Sequence, residues 1–177
     1  EDLRYWSASA LQNKTSDKLK KILPNLISDE EIRTVALVKL LIQNKIDNLQ
    51  PLFEKIYEEN KNDDESDWQR ASLEYLSQFP LDKDKIIFRK ILENKDSDFA
   101  LEYSSAEGLA NLKDNDSIDL LVKKSEEKRK ESDLNARVFL VALSKLKSEK
   151  SKKEIESFLN SEEEIVRELV SELLKNW

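Results

Sequence analysis

The sequence predicts an all-α protein that is built from stacked helical pairs. The 177-residue chain contains only one glycine and three prolines, although strand-rich proteins need such turn residues at frequent intervals. Its apolar residues recur three and four positions apart, and no stretch keeps the two-residue alternation of a half-buried strand. An arginine-led phrase also recurs along the whole chain, which indicates a helical repeat.

The recurring phrase consists of an arginine that opens a largely apolar helical stretch. Five copies carry the arginine, and in one further copy a tyrosine takes its position. The spacings between successive anchors are 29, 37, 33, 34 and 30 residues. A period of this length is typical of units that contain two helices each and stack side by side. The anchors are Arg4, Arg33, Arg70, Tyr103, Arg137 and Arg167.

Each period is predicted to contain an arginine-led helix and a second, outer helix, in the order that the apolar spacing indicates. This organisation makes about five pairs and one additional helix at the start. The arginine-led helices are predicted over residues 2–13, 29–44, 67–79, 98–112, 133–146 and 162–176. The outer helices are predicted over 17–27, 49–60, 83–93, 117–131 and 151–159.

Three of the helix starts carry a capping-box pattern, at residues 28–31, 66–69 and 161–164. In this motif a serine oxygen accepts an unpaired backbone N–H, and a Glu or Gln three residues later reaches back. All three patterns lie just before an arginine-led phrase, so they support the predicted boundaries. The polar segment 59–65 lies in the longest period and is predicted to form a surface loop.

The repeat also predicts which apolar residues form the core. A helical pair cannot bury its apolar face alone, and stacking on a neighbouring pair buries a continuous core. The residues that we expect in this core are Leu37, Leu73, Ala106, Leu140 and Val170.

Composition excludes several classes of function. The formal net charge is -7, with 30 basic and 37 acidic residues, which disfavours general binding to nucleic-acid phosphates. The most basic segment, 123–131, is interleaved with Glu and is predicted to be a solvated helix face. The chain has no Cys and no His, so disulfides, thiolate nucleophiles, His bases and the usual zinc sites are excluded. The single glycine, Gly108, lies inside a predicted helix and forms no phosphate-binding loop. We expect no metal and no cofactor.

The sequence contains no apolar stretch near the ~20 residues that a membrane-spanning helix needs. The strongest apolar run, 35–42, is shorter and includes Lys39. The chain begins at Glu1 and contains no Met, so we expect that an upstream segment has been removed. An exported mature chain and a domain excised from a longer protein both fit, and the compartment stays open.

Two segments and one spacing carry a resemblance to a known family. Residues 22–26 read Ile-Leu-Pro-Asn-Leu, residues 49–53 read Leu-Gln-Pro-Leu-Phe, and Asp64 precedes Arg70 by six positions. The chain resembles HEAT repeats, whose first helix often carries Leu-Leu-Pro-x-Leu and whose turn carries such an Asp before the Arg. The resemblance covers nearly the whole chain, with Tyr103 as a departure. It implies a right-handed α-α superhelix, an α-solenoid, as a single domain over 1–177.

The repeat anchors Arg33, Arg70, Arg137 and Arg167 are open to two interpretations. They could form a stripe that binds a ligand. The interpretation that we favour is that they bind turn carbonyls or acidic residues of adjacent repeats and hold the stack in register. The planar, five-donor guanidinium group is suited to that task.

In HEAT-like arrays the arginine-led helices line the concave side, so the resemblance implies a partner-binding face. This face would be mildly acidic with some apolar content and would suit a basic peptide or helix; a solvated face without a partner is the alternative. The exposed apolar candidates are Val38, Ile42, Val141, Trp6 and Trp177, of which the two Trp are expected to cap the core at the ends. The candidate face residues are Glu74, Tyr75, Glu107, Val141, Ser171 and Glu172.

The function that we expect is a noncatalytic protein–protein interaction or scaffolding module. No Asp or Glu pair stands in a context that would separate its pKa values for acid–base catalysis. A HEAT-like enzyme similar to bilin lyases or DNA glycosylases is the first alternative, although the acidity and the lack of His and Cys disfavour it. A structural spacer within a larger assembly is the second. The expected partner is a protein, not nucleic acid, and the oligomeric state stays open.

Overall fold

A computed structural model describes residues 2–11, 14–63 and 66–177, without the side chains of Asp2, Arg4 and Tyr5. In these residues the regular secondary structure consists of eleven α-helices and two short 3-10 helices, with no strand. The all-α prediction is confirmed. The chain divides into two compact units, Glu1–Phe79 and Pro80–Trp177, and each is described by itself.

The first unit contains helices α1 to α5. The outer helix α2 packs on α3, and α4 packs on α5, while α1 and α5 each also contact α3. Asp64, which the resemblance to HEAT repeats invoked, lies outside the described residues. The helices are α1 (Asp2–Ser9), α2 (Asp17–Ser28), α3 (Ala36–Gln43), α4 (Gln50–Asn60) and α5 (Asp67–Gln78).

The second unit contains helices α6 to α11, and α9 is its central element. The outer helices α6, α8 and α10 each pack on the arginine-led helix that follows them, and α9 also contacts α7, α10 and α11. The helices are α6 (Lys85–Glu93), α7 (Phe99–Asn111), α8 (Ile118–Arg129), α9 (Asp133–Leu146), α10 (Glu149–Glu156) and α11 (Glu164–Lys175). The 3-10 helices Asp82–Asp84 and Asn115–Ser117 precede α6 and α8.

Most helices lie within a few residues of their predicted bounds, and α9 has the predicted ones. The main difference is α3, which was predicted from residue 29 but begins at Ala36. The side chain of Asp29 accepts the backbone N–H of Glu31 at 3.0 Å. This local bond favours a turn over a helix at that point, so the segment before Ala36 is not helical.

The three predicted capping boxes do not form. Ser28 is the last residue of α2, and Ser66 precedes α5 but donates its hydroxyl to the side chain of Asn60 at 2.8 Å. Ser161 accepts the N–H of Glu163 at 3.2 Å, before the helix has begun. The capping-box spacing therefore gave a wrong prediction, because none of the three serines makes the capping-box hydrogen bonds. The serines and aspartate that do cap helices are Ser16, Asp98, Ser132 and Ser148.

The predicted core residues are all buried. Leu37 keeps a small exposed fraction, whereas Leu73, Ala106, Leu140 and Val170 are fully buried. Periodicity identified these positions because each lies on the face of its helix that packs on neighbours.

The five apolar residues that were predicted to be exposed differ in their actual exposure. Val38 is fully buried, which corrects the prediction, and Ile42 is half-buried. Trp6 is 67% exposed, so it does not cover the core as expected of a cap, whereas Trp177 is half-buried. Val141 is exposed as predicted.

The single glycine lies where a neighbouring aromatic ring leaves no room for a side chain. A Cβ atom at Gly108 of α7 would lie 2.5 Å from Cε2 and Cζ of the buried Phe88 of α6. The glycine therefore sets how closely these two helices approach.

We expect Gly108→Ala to lower the free energy of unfolding by up to about 2 kcal/mol. Overpacking costs about 1–3 kcal/mol, and the better helix propensity of alanine offsets about 1 kcal/mol of that. Urea denaturation measures the change. The pair Gly108→Ala with Phe88→Leu should be more stable than the sum of the two single changes implies. A stabilised Gly108→Ala variant would show that propensity alone acts at this site.

Candidate functional site

Three successive arginine-led helices of the second unit, α7, α9 and α11, form a groove. Its volume is about 340 Å³. Residues four apart on a helix share a face, and each helix contributes such a row to the groove. The rows are Tyr103 and Glu107 on α7, Arg137, Val141 and Lys145 with Val138 on α9, and Ile165 and Leu169 on α11.

The groove presents apolar surface to solvent. Ile165 is 60% exposed, Tyr103 is 45% exposed and Val141 is 37% exposed, while Val138 and Leu169 are half-buried beneath them. These side chains cluster because the opposite face of α9 is occupied by the core. A contiguous apolar surface in a concave site is typical of a binding site.

The charged side chains of the groove differ in how they are paired. Glu107 Oε1 lies 3.8 Å from Lys145 Nζ, and Lys145 also donates to Asn111 Oδ1 at 3.1 Å. Arg137 is exposed and has no ion pair or hydrogen bond with any other described residue. The groove thus carries one unpaired positive charge. The only carboxylate among the lining residues, that of Glu107, is the one paired with Lys145.

Every other arginine with a described side chain has a partner. Arg137 is therefore distinct, although it occupies the same position of the repeat as Arg33, Arg70 and Arg167. The partners are Glu30 for Arg33, Asp67 for Arg70, Asp114 for Arg89, Asp133 for Arg129 and the carbonyl oxygen of Ser161 for Arg167.

The repeat anchors therefore differ in what they bind. Arg167 Nη1 donates to the carbonyl oxygens of Ser161 and Glu162 at 2.6 and 2.9 Å, in the turn before its own helix. Arg33 lies 3.9 Å from Glu30 and over the ring of Trp68, 5.3 Å from its centroid. Arg70 lies 3.6 Å from Asp67.

The structure places the predicted face residues at different locations. Glu107 and Val141 line the groove, as described above. Ser171 and Glu172 are exposed on α11 and line a second, separate pocket together with Arg167. Glu74 is half-buried in the first unit.

Tyr75 has to be removed from the candidate face, because its side chain is fully buried. Its hydroxyl donates to the carbonyl oxygen of Ile46 at 2.7 Å and accepts the N–H of Leu49 at 3.1 Å. Its ring stacks on Phe53 with 4.0 Å between the centroids. Burial raises the pKa of Tyr75 to about 12. The residue ties α5 to the turn between α3 and α4, which a helical-wheel argument could not reveal.

Two arginines on the outer helices link successive pairs, and sequence reasoning missed both. Arg89 of α6 binds Asp114, with 2.8 Å from Nη2 to Oδ1 and 3.0 Å from Nε to Oδ2. Arg129 of α8 donates to the Ser157 hydroxyl at 3.1 Å and lies 4.1 Å from the ring centroid of Phe158. The available signal was that the outer helices, which are rich in Lys, carry Arg at these two positions.

A buried charge cluster joins α7 and α8. Glu102 is almost completely buried, and Lys124 Nζ donates to its Oε1 at 2.8 Å. Lys128 Nζ lies 2.8 Å from Oε2, as an ion pair without hydrogen-bond geometry. The prediction of a solvated face over 123–131 is therefore wrong for Lys124 and Ser125, which are both buried.

In the described part of the chain, no group of three or more His, Cys, Asp or Glu residues is placed to hold a metal ion. In the same residues, no helix has the length and the apolar character that crossing a membrane requires. Comparison with known proteins gives no match to a family model, to a curated protein or to a solved structure. The resemblance to HEAT repeats therefore depends on the sequence features alone and stays a prediction.

Proposed function

We propose that this chain is a noncatalytic protein-interaction module, an α-solenoid of HEAT-like helix pairs that binds a protein segment in the groove of α7, α9 and α11. The observation that carries the proposal is the combination, in one groove, of exposed apolar side chains with an unpaired arginine. Apolar surface supplies affinity when a partner covers it, and arginine is enriched among the residues that dominate interfaces.

Two regularities support the repeat architecture. Each outer helix packs on the arginine-led helix that follows it, from the pair α2 and α3 to the pair α10 and α11. A lysine with positive φ follows three of the arginine-led helices: Lys45 at 54°, Lys113 at 54° and Lys147 at 48°. A left-handed residue just after a helix end is a defined stop signal. Its recurrence within two residues of three helix ends favours units of one common design.

The groove can be tested by placing charge in its apolar part. We expect that the pair Val141→Asp with Ile165→Asp loses partners that the unchanged chain captures, because a carboxylate is costly to desolvate in an apolar contact. A carboxylate at position 141 would also compete with the partner for Arg137, four residues earlier on α9. The measurement is affinity capture from cells that express the protein, with bound proteins identified by mass spectrometry. Circular dichroism of each variant reports whether the helices are intact.

The matched control is Ile86→Asp, an equally drastic change at a residue of α6 that is 74% exposed and does not line the groove. Proteins retained by Ile86→Asp and lost by the groove variant are the expected result. Identical sets of captured proteins from both variants would contradict the proposal.

A further inference from the structure

We infer that the partner segment is an acidic amphipathic helix, whose apolar side chains cover Val141 and Ile165 and whose carboxylate binds Arg137. This inference rests on the proposed function and specifies the chemistry of the occupant. It replaces the basic peptide that the sequence suggested for this face.

The charges select for a carboxylate. A partner that covers the groove removes water from Arg137, and a guanidinium group without a counter-charge is costly to desolvate. Glu107 does not serve as this counter-charge, because Lys145 lies 3.8 Å from it. A carboxylate on the partner can take two parallel hydrogen bonds from the guanidinium group. A basic segment would instead meet Arg137 and Lys145 as like charges.

The fold favours a helix as the occupant. Peptides that bind as strands need an exposed sheet edge, and the described residues contain no strand. Peptides in the polyproline conformation dock in grooves lined by several aromatic rings, whereas Tyr103 is the one aromatic residue among the lining side chains. The side chains four apart on α7, α9 and α11 form ridges. A ridge of another helix can pack into the groove between them.

The inference is tested with a phage-displayed library of random peptides, selected separately on the unchanged chain and on Arg137→Glu. We expect the unchanged chain to enrich peptides with apolar residues three and four apart and a Glu or Asp beside them. Selected peptides are then synthesised with a fluorophore, and fluorescence anisotropy measures their Kd. Arg137→Glu should weaken binding about tenfold, which is about 1.4 kcal/mol.

A charge swap and a matched variant make the test specific. Exchanging the peptide carboxylate for Lys should restore affinity for Arg137→Glu and weaken binding to the unchanged chain. Lys95→Glu makes the same charge change at an exposed residue of the same unit that does not line the groove. It should leave the Kd of each peptide within about twofold, because exposed charges at a distance are screened by salt.

The outcomes separate the two proposals. Enrichment of basic or uncharged peptides that lose binding to Val141→Asp with Ile165→Asp would overturn the acidic partner and leave the interaction groove in place. Peptides that bind the unchanged chain, Arg137→Glu and the Val141→Asp with Ile165→Asp variant equally well would show that the groove is not the binding site. A failure to enrich any peptide on a folded chain counts against both.

Discussion

Replacing Arg89 by alanine is expected to lower the free energy of unfolding by about 3 kcal/mol, because the buried Asp114 then loses its counter-charge. The side chain of Asp114 is only 3% exposed, and the two residues form a bidentate pair with Nη2 to Oδ1 at 2.8 Å. Ser117 also donates to Asp114 and accepts from Arg89 Nε at 2.8 Å. Lys85, with 3.9 Å between Nζ and Oδ1, remains as a weaker partner, so we place the cost at the low end of the usual range of about 3–5 kcal/mol.

The chain offers a matched control for this change. Arg137→Ala removes an arginine from the same unit that has no described partner, and exposed changes of this kind usually alter stability by less than about 0.5 kcal/mol. Arg89→Lys should recover only part of the loss, because an ammonium group cannot reproduce the two-pronged contact. Urea denaturation of the three variants measures these differences. Equal stability of Arg89→Ala and Arg137→Ala would show that the ion pair contributes nothing.

The helical array could be predicted because its signal is local and repeated. The bounds of α9 and the burial of Leu140 follow from the spacing of apolar residues along one helix. The late start of α3 could not be predicted, since Asp29 binds the N–H of Glu31 and competes with the helix. The three serines of the apparent capping boxes misled for the same reason, because short polar side chains choose among several nearby partners.

The candidate site could be predicted only in part. Glu107 and Val141 were placed on the correct helices, but the distinguishing property of Arg137 depends on which side chains surround it. Arg137 and Arg167 occupy equivalent positions of the repeat, yet only Arg167 reaches the carbonyl oxygens of the preceding turn. One sequence contains no information on such pairings across turns. The burial of the Tyr75 hydroxyl was missed for the same reason, because its partner Ile46 lies 29 positions earlier in the chain.

The buried Glu102 explains why a segment that reads as a solvated basic face is partly internal. Its carboxylate lies 2.8 Å from Nζ of both Lys124 and Lys128. Glu102 and Lys124 are separated by 22 positions, so the pairing leaves no local pattern in the sequence. The side chain of Lys124 is 6% exposed and that of Lys128 is 18% exposed. Lys124 therefore depends on Glu102 more than Lys128 does, because Lys128 can turn its ammonium group to water.

We expect Glu102→Ala to lower the free energy of unfolding by about 3–5 kcal/mol, because the ammonium group of Lys124 then stays buried without its main counter-charge. The double variant Glu102→Leu with Lys124→Met should be far less affected, since replacing a buried ion pair by apolar residues of similar volume is often neutral or stabilising. Urea denaturation followed by circular dichroism measures both.

Glu127→Ala is the control, because Glu127 lies 3.7 Å from the same ammonium group but is 36% exposed. Its loss should cost at most about 1 kcal/mol, because solvent screens the Glu127 carboxylate and Glu102 still pairs with Lys124. The decisive quantity is the difference between the single and the double variant at Glu102. A double variant as unstable as Glu102→Ala would show that the carboxylate stabilises the unit by its shape and packing. In that case the carboxylate of Glu102 would not act mainly by compensating the buried charge of Lys124. The loss of stability in Glu102→Ala would then come from the cavity that the substitution leaves between α7 and α8.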